Sequence, residues 1–188
     1  FIKLGQFLAT RPDIITKDIA KELEKLQDKL PAFSLAETKN ILREELGENN
    51  FSQIKNLSEP IAAASIAQVH FANIKNENKD IEVAIKILRP NIEKVFNDEL
   101  DALMLLAYII QNLIKKAKRL KLIEIVQLLR EITNVEMDLR FEAAAANEFF
   151  EKTKNDIGFK VPKIYWNYTS KKVLCIDKVN GISIRETE

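Results

Sequence analysis

The spacing of the apolar residues changes along this chain, and those changes limit the folds that it can adopt. Apolar residues recur at helical spacing over residues 17–46, whereas residues 61–88 are rich in strand-forming types. Helical spacing returns over residues 92–153, and strand character returns over residues 161–177. Because helices and strands occur in separate runs, the order predicts an α+β fold whose strands pair antiparallel.

The first 50 residues are predicted to form a helical unit. Residues 17–29 have apolar residues three and four apart, and Pro31 stops that helix. Ser34 and Glu37 fit a capping box, in which the serine accepts a backbone amide and the glutamate reaches back. The helix that begins there should end with Gly47 as its C-cap.

The rest of the chain, residues 51–188, is predicted to carry a sheet with three strands before two long helices and two strands after them. The polar stretch Lys75–Asp80 is the expected turn between two strands, and Arg89–Asn91 ends the second of these. A helical insertion is expected at about residues 91–121. The clearest elements are strands over residues 61–71 and 82–88, helices over 92–113 and about 123–153, and strands over 161–166 and 172–177.

Composition excludes several classes of protein. The chain has 188 residues, of which 46% are hydrophobic and 30% charged, with a formal net charge of +1. This balance fits a soluble domain and gives no basis for nucleic-acid binding, which needs a basic face. One cysteine, Cys175, and one histidine, His70, exclude an internal disulfide and an ordinary zinc site. The longest apolar stretch, Ala102–Ile110, is too short to span a bilayer.

The run Val83–Lys86 ends an apolar strand with a single lysine. The kinase fold aims such a lysine at the α- and β-phosphates of ATP, and a glutamate on a helix orients it. Glu142 is the candidate glutamate, and Asp138, four residues earlier, would share its helix face. Two like charges on one face repel, which indicates that a lysine or metal ion lies opposite. Taken alone, the pattern also fits a surface lysine and a solvated helix face.

The glycine-rich phosphate loop of an ordinary kinase has no counterpart in this sequence. Such a loop brings backbone amides to the phosphates, but no glycine lies between Gly47 and Gly158. The corresponding place holds the alanine-rich segment Pro60–His70. Alanine permits close approach of the backbone but disfavours positive φ angles, so an ordinary kinase is disfavoured.

Together these segments resemble the UbiB (aarF-domain) family of atypical protein-kinase-like proteins, which is tied to ubiquinone biosynthesis. The resemblance covers nearly the whole chain, and it implies a kinase-like amino-terminal lobe with an αC helix after a helical extension over residues 1–50. The matching motifs are Lys3-Leu-Gly5-Gln6 (KxGQ), Ala62-Ala63-Ala64-Ser65 with Gln68-Val69-His70 (the alanine-rich loop), Val83 to Lys86 (the strand lysine), Glu136-Met-Asp138 (ExD) and Glu142 (the helix glutamate).

The resemblance implies how a nucleotide would be held. Lys86 would contact the phosphates and pair with Glu142, which makes these two the expected catalytic residues. The loop Ala62–Ser65 would cover the nucleotide and bias the site away from ordinary kinase behaviour. Val179 would belong to the hinge that faces the adenine.

The KxGQ and ExD motifs have an expected regulatory role by the same resemblance. Lys3 and Gln6 would fold over the pocket toward Glu136 and Asp138, where they would block a protein substrate. His70 is left open between a structural and a functional role, because no acid near it in sequence would orient its ring.

The expected ligands are ATP or ADP with Mg²⁺, again by resemblance. A catalytic-loop aspartate and an Asp-Phe-Gly motif are absent from the sequence, so the carboxy-terminal lobe and most metal ligands are expected outside this chain. Glu136 or Asp138 would at most help to bind or exclude a metal. The full-length protein is expected to be an atypical kinase or ATPase, cytoplasmic and peripheral to or anchored at the inner membrane, whereas this piece alone is expected to be inactive.

The alternative is a non-catalytic module that binds lipid or a quinone precursor, or that acts as a scaffold for quinone-biosynthesis proteins. The apolar helix over residues 92–113 ends in a run of basic residues, and such a helix can lie on an anionic membrane surface. The same helix also fits ordinary packing against the lobe. A quinone hydroxylase has no support, since the chain lacks a flavin fingerprint and an iron-ligand cluster.

Overall fold

A computed structural model describes residues 31–76 and 79–181, together with Thr16, Asp18 and Glu22. The side chains of residues 115–117 are not among those described. Lys3 and Gln6 therefore lie outside the described residues, and so does most of the helix predicted over residues 17–29.

The described regular elements are five strands and four α-helices, and the helices have about four to six turns each. Two short 3₁₀ helices, Lys115–Leu120 and Trp166–Tyr168, complete them. In chain order the main elements are α1 (Leu35–Phe51), β1 (Ile54–Lys55), β2 (Ala62–Ala63), β3 (Ala67–Asn76), β4 (Lys79–Leu88), α2 (Ile92–Leu113), α3 (Leu122–Glu136), α4 (Leu139–Thr153) and β5 (Val173–Asp177).

The strands form one five-stranded sheet in the order β1-β3-β4-β5, with β2 paired to β3. β1 pairs antiparallel with β3, and β4 pairs antiparallel with β5. The predicted α+β class with a five-stranded antiparallel sheet is confirmed. The predicted distribution of strands, three before the long helices and two after them, is wrong. Among the described residues four strands lie between α1 and α2, and one strand follows α4. Ile164 forms a single bridge with Ile176 instead of starting a strand.

The hairpin between β3 and β4 is tighter than the predicted turn Lys75–Asp80. β3 continues to Asn76 and β4 begins at Lys79, so four of those six residues belong to strands. Residues 77–78 lie outside the description. Long paired strands satisfy the backbone groups of these polar residues even though their side chains are typical of turns.

The sheet gives one compact unit its core. This unit comprises Ala32–Ala62, Ala67–Ile87 and Leu139–Glu188. Val83, Ile85 and Ile87 are each fully buried at alternate positions of β4, as expected for a strand with one face on a core. The buried cluster contains Ile41, Leu42, Ala72, Ile74, Val83, Ile85, Ile87, Tyr165, Tyr168, Val173 and Cys175.

Helices α2 and α3 lie in a second compact unit and pack on each other. The buried residues at their contact are Leu100, Ala107 and Val126. Leu106 and Leu113 of the same helix α2 are exposed. Among the described residues, α3 packs on one stripe of α2.

The capping box of α1 is confirmed. The Ser34 side chain accepts the Glu37 N–H at 3.2 Å, and the Glu37 carboxylate accepts the Ser34 N–H at 3.0 Å. The predicted end of the first helical stretch at Gly47 is confirmed, because Gly47 has the non-helical angles φ 73° and ψ 161°, which side-chain-bearing residues rarely adopt. A second helical stretch follows this kink and continues to Phe51.

The continuous helix predicted over about residues 123–153 is in fact two helices. α3 ends at Glu136 with Met137 as its C-cap, and α4 begins at Leu139. The Leu139 N–H donates to the Lys171 carbonyl at 2.9 Å, whereas a continuous helix would direct it to the carbonyl four residues earlier. Asp138 therefore precedes α4, and the predicted helix face shared with Glu142 does not exist.

Candidate functional site

Lys86 and Glu142 form an ion pair between β4 and α4. The Lys86 ammonium donates to both carboxylate oxygens of Glu142, with Nζ–O distances of 2.7 and 3.0 Å. On β4 the fully buried Ile85 and Ile87 flank Lys86, so the strand period directs the lysine away from the core. On α4 the fully buried Ala143 follows Glu142. Local burial patterns thus present both charged side chains outside the core.

The pair is open to solvent. The side chains of Lys86 and Glu142 are 30% and 50% exposed. An exposed ion pair contributes only about 0–1 kcal/mol to folding stability, so another anion can share the lysine at little cost. An ammonium carries three donors and no acceptor, and a phosphate oxygen is a ligand of matching chemistry.

The first turn of α4 suits an acidic residue. Glu142 lies in that turn, where the unpaired backbone N–H groups of a helix favour negative charge. The bond from the Leu139 N–H to the Lys171 carbonyl fixes where the helix begins. The break after α3 therefore decides which residue of the acidic stretch is presented to Lys86.

The alanine-rich loop is formed as a short strand and a connection. Ala62 and Ala63 make up β2, and Ala64 and Ser65 follow it before β3. Ala62 and Ala64 are exposed, whereas Ala63 and Ser65 are half-buried. Small side chains leave the backbone of this loop approachable, which fits its predicted role over a nucleotide.

The remaining predicted site residues lie on other segments of the chain. Glu136 is the exposed last residue of α3, and Asp138, in the break after it, is 9% exposed. Val179 follows β5 and is 56% exposed. The roles assigned to these residues by resemblance stay predictions.

A buried polar cluster on β3 and α1 was missed as a unit by the sequence analysis. Its members Thr38, Gln68 and His70 are all fully buried. The Gln68 amide accepts the Phe33 N–H at 3.0 Å and donates to the Phe33 carbonyl at 3.2 Å. The same amide nitrogen lies 3.0 Å from the Thr38 hydroxyl. A signal was present in the sequence, since glutamine and histidine alternate with apolar residues on a strand that is otherwise buried.

His70 is a structural member of this cluster. Its Nδ1 lies 2.8 Å from the Ser58 carbonyl, which can only accept, so Nδ1 carries the proton. Nε2 then accepts the Gln68 amide at 2.9 Å. Burial lowers the pKa of His70 from its ordinary value, and the Ser58 carbonyl and the Glu59 charge oppose that effect in part. The ring is therefore held in its neutral form.

Arg89 is a further residue whose contacts the sequence pattern did not indicate. Its guanidinium donates to the carbonyls of Ala64 and Pro31. Burial lowers the pKa of Arg89 from its ordinary value. The prediction had treated this residue only as part of the break after the strand.

The described residues do not fit a magnesium site. None of their groups of histidine, cysteine, aspartate and glutamate could hold a metal ion. Cys175 is fully buried on β5, and burial raises the pKa of its thiol. The site that this part of the chain offers is thus a cation paired with a carboxylate.

Comparison with known proteins finds a matching family and similar proteins. A family model described as the ABC1 atypical kinase-like domain matches residues 25–188. A protein of Marinobacter nauticus named "Probable protein kinase UbiB" is 36% identical over 187 residues, which are 99% of this chain and 34% of that protein. Proteins of the same name are similar: that of Cellvibrio japonicus is 37% identical (99% of this chain, 33% of that protein). That of Pseudomonas paraeruginosa is 36% identical (100% and 35%).

The chain belongs to the ABC1 atypical kinase-like family, because the family model covers most of its length. The resemblance to the UbiB proteins is confirmed by these matches. The chain spans about a third of the length of the curated relatives that it matches. Over the part of the chain described here, no helix is both long and apolar enough to cross a membrane.

Proposed function

We propose that this chain is the amino-terminal lobe of an atypical kinase-like protein that binds ATP or ADP and supports ubiquinone biosynthesis. The observation that carries the proposal is the contact of Lys86 with both oxygens of Glu142. A kinase fold needs this pair in place before the lysine can engage nucleotide phosphates. The name of the relatives, "Probable protein kinase UbiB", supports the kinase-like half of the proposal, and the family's tie to ubiquinone biosynthesis supports the other half.

Each partner of the ion pair has a separate task in this proposal. Lys86 places positive charge against the α- and β-phosphates, and Glu142 holds the ammonium in position while the site is empty. The loop Ala62–Ser65 covers the nucleotide with a backbone that small side chains leave accessible. By the same family resemblance, Mg²⁺ would be held mostly by residues outside this chain.

ATP hydrolysis is proposed in preference to protein phosphorylation. By family resemblance, Lys3 and Gln6 would fold over the pocket and obstruct a protein substrate. Water needs far less room than a polypeptide, so an obstructed pocket still permits hydrolysis. A protein carrying the second lobe that turns over ATP without any acceptor protein would support this preference.

Nucleotide titration of the full-length protein tests the binding site. We expect Lys86→Ala to weaken ATP and ADP binding about tenfold or more, the effect of losing one charge-assisted hydrogen bond. Lys172→Ala is a matched control, since Lys172 also pairs with a carboxylate, Glu45, at 3.4 Å. Unchanged nucleotide affinity in Lys86→Ala would refute the proposed role of this lysine.

The second candidate function is a lipid-binding or scaffolding module at a membrane surface. Leu105, Tyr108 and Leu113 of α2 are 61%, 60% and 77% exposed. The segment after α2 carries the exposed basic residues Lys118 and Arg119. Apolar side chains beside basic ones are the combination that binds an anionic lipid surface.

Flotation with vesicles tests this second function. Binding to anionic vesicles at low salt that weakens at high salt would support it, because surface electrostatics are screened by salt. Absence of flotation at low salt would remove it. Lys86→Ala serves as a control here, since the nucleotide site makes no contribution to this surface in the proposal.

A further inference from the structure

Arg89 holds the alanine-rich loop at two points. Its backbone N–H donates to the Ile66 carbonyl at 2.8 Å. Its guanidinium donates to the Ala64 carbonyl through Nε at 3.0 Å and through Nη2 at 2.9 Å. Backbone and side chain of a single residue therefore fix two carbonyls of one short segment.

The same guanidinium makes a third contact that requires the shape of arginine. Its Nη1 donates to the Pro31 carbonyl at 2.9 Å. A guanidinium is planar and presents its donors in a rigid fork, so it binds two carbonyls in different directions at once. A lysine ammonium is a point charge on a flexible stem and does not reproduce this fork.

Arg89 is close in sequence to the lysine of the proposed nucleotide site. It follows the end of β4, three residues after Lys86, so the nucleotide lysine and this arginine occupy one short segment. Ala64 belongs to the loop that is proposed to cover the nucleotide. A loop without glycine has few backbone conformations that can approach phosphates. The hydrogen bonds from Arg89 would hold the loop in one such conformation.

We propose that Arg89 is a positioning residue that sets the conformation of the alanine-rich loop at Ala64 and Ile66, and thereby the loop's contribution to nucleotide affinity. This proposal rests on the proposed function, which places the loop over the nucleotide. Arg89 itself touches no phosphate in this proposal. Its effect on binding passes through the loop backbone.

The test compares Arg89→Met, Arg89→Lys and Lys86→Ala in the full-length protein by calorimetric titration with ATP and with ADP. We expect Arg89→Met to weaken the binding of both nucleotides about tenfold, which is the effect of losing one hydrogen bond. Arg89→Lys should recover part of the affinity, because an ammonium can still reach the Ala64 carbonyl. Lys86→Ala should weaken both nucleotides.

Hydrogen exchange of the nucleotide-free protein separates this proposal from the proposed function. We expect faster exchange of the amides of residues 62–66 in Arg89→Met, with exchange in α3 unchanged, and no change of the loop in Lys86→Ala. If Lys86→Ala binds nucleotide normally, the proposed function fails, and loop exchange still decides whether Arg89 positions the loop.

Two results would overturn the proposal. One is wild-type loop exchange in a folded Arg89→Met variant. The other is a nucleotide affinity within twofold of wild type despite altered exchange. If Arg89→Met does not fold, the same two measurements are made on Arg89→Lys. Wild-type loop exchange and wild-type nucleotide affinity in Arg89→Lys would then show that a forked side chain is not needed.

Discussion

Two polar clusters on the same sheet differ in what they leave open to solvent. Gln68 and His70 of β3 are fully buried, and their polar atoms bond within the protein. Lys86 of β4 and its partner Glu142 are 30% and 50% exposed. The buried cluster uses its hydrogen-bonding capacity for the fold, whereas the exposed pair keeps charge available to a ligand.

The energetic roles of the two clusters should differ accordingly. A buried polar group that loses its partner costs about 1–3 kcal/mol. An exposed ion pair gives about 0–1 kcal/mol. Substitutions in the first cluster should therefore be seen in folding, and substitutions in the second should be seen in binding.

Gln68→Ala should have the largest effect on stability. It removes both bonds to the Phe33 backbone and the contact with Thr38, so we expect a loss of about 3 kcal/mol. Urea unfolding of the wild type and the variant measures this loss. The exposed Gln127→Ala is the control and should stay within about 0.5 kcal/mol. A loss below about 1 kcal/mol in Gln68→Ala would mean that the buried cluster contributes no more to folding stability than the exposed pair does.

His70 should make stability depend on pH. Its pKa is lowered in the folded protein, so the unfolded chain binds the proton more readily. Stability contributed by the neutral ring is therefore full above the unfolded pKa of about 6.5 and decreases as the pH falls below it, by at most about 1.4 kcal/mol per pH unit. The groups around the ring are Thr38 on α1, Gln68 on β3, the Ser58 carbonyl and the Glu59 charge.

Urea unfolding at several pH values between 5 and 8 measures this dependence, with His70→Asn as the matched variant. The variant cannot titrate in this range, so the difference between its stability and that of the wild type should change with pH. A constant difference across the range would show that the folded protein does not favour the neutral ring.

Lys86→Met should have the smallest effect on stability. Because the pair is exposed, we expect a change below about 1 kcal/mol, while nucleotide affinity falls about tenfold. A double-mutant cycle with Glu142→Gln, followed by thermal unfolding, isolates the energy of the pair. A coupling energy above about 2 kcal/mol would mean that the pair is structural and would remove the contrast with the buried cluster.

The sequence allowed prediction where the determining contacts are local or belong to a known set of motifs. The capping box of Ser34 and Glu37 depends on a spacing of three residues, and it was predicted in full. The candidates Lys86 and Glu142 came from the motif order, and the structure brings them together across 56 positions. Neither residue alone distinguishes a site from an ordinary surface charge.

Features that depend on distant backbone groups were not predictable. The break after α3 contains no glycine or proline, and the Lys171 carbonyl that receives the Leu139 N–H lies far along the chain. Arg89 binds Ala64 at a separation of 25 residues and Pro31 at 58. Every residue has a backbone carbonyl, so the pattern of residue types does not predict which carbonyls accept these hydrogen bonds.

The burial of Cys175 has a practical consequence for labelling. Its side chain is fully buried and the pKa of its thiol is raised, so little thiolate forms in the folded chain. It is also the one cysteine in the sequence. A maleimide dye should therefore react with a cysteine introduced at the surface and leave Cys175 unmodified. In the unaltered chain, slow reaction of the same dye would report how often β5 detaches from the sheet.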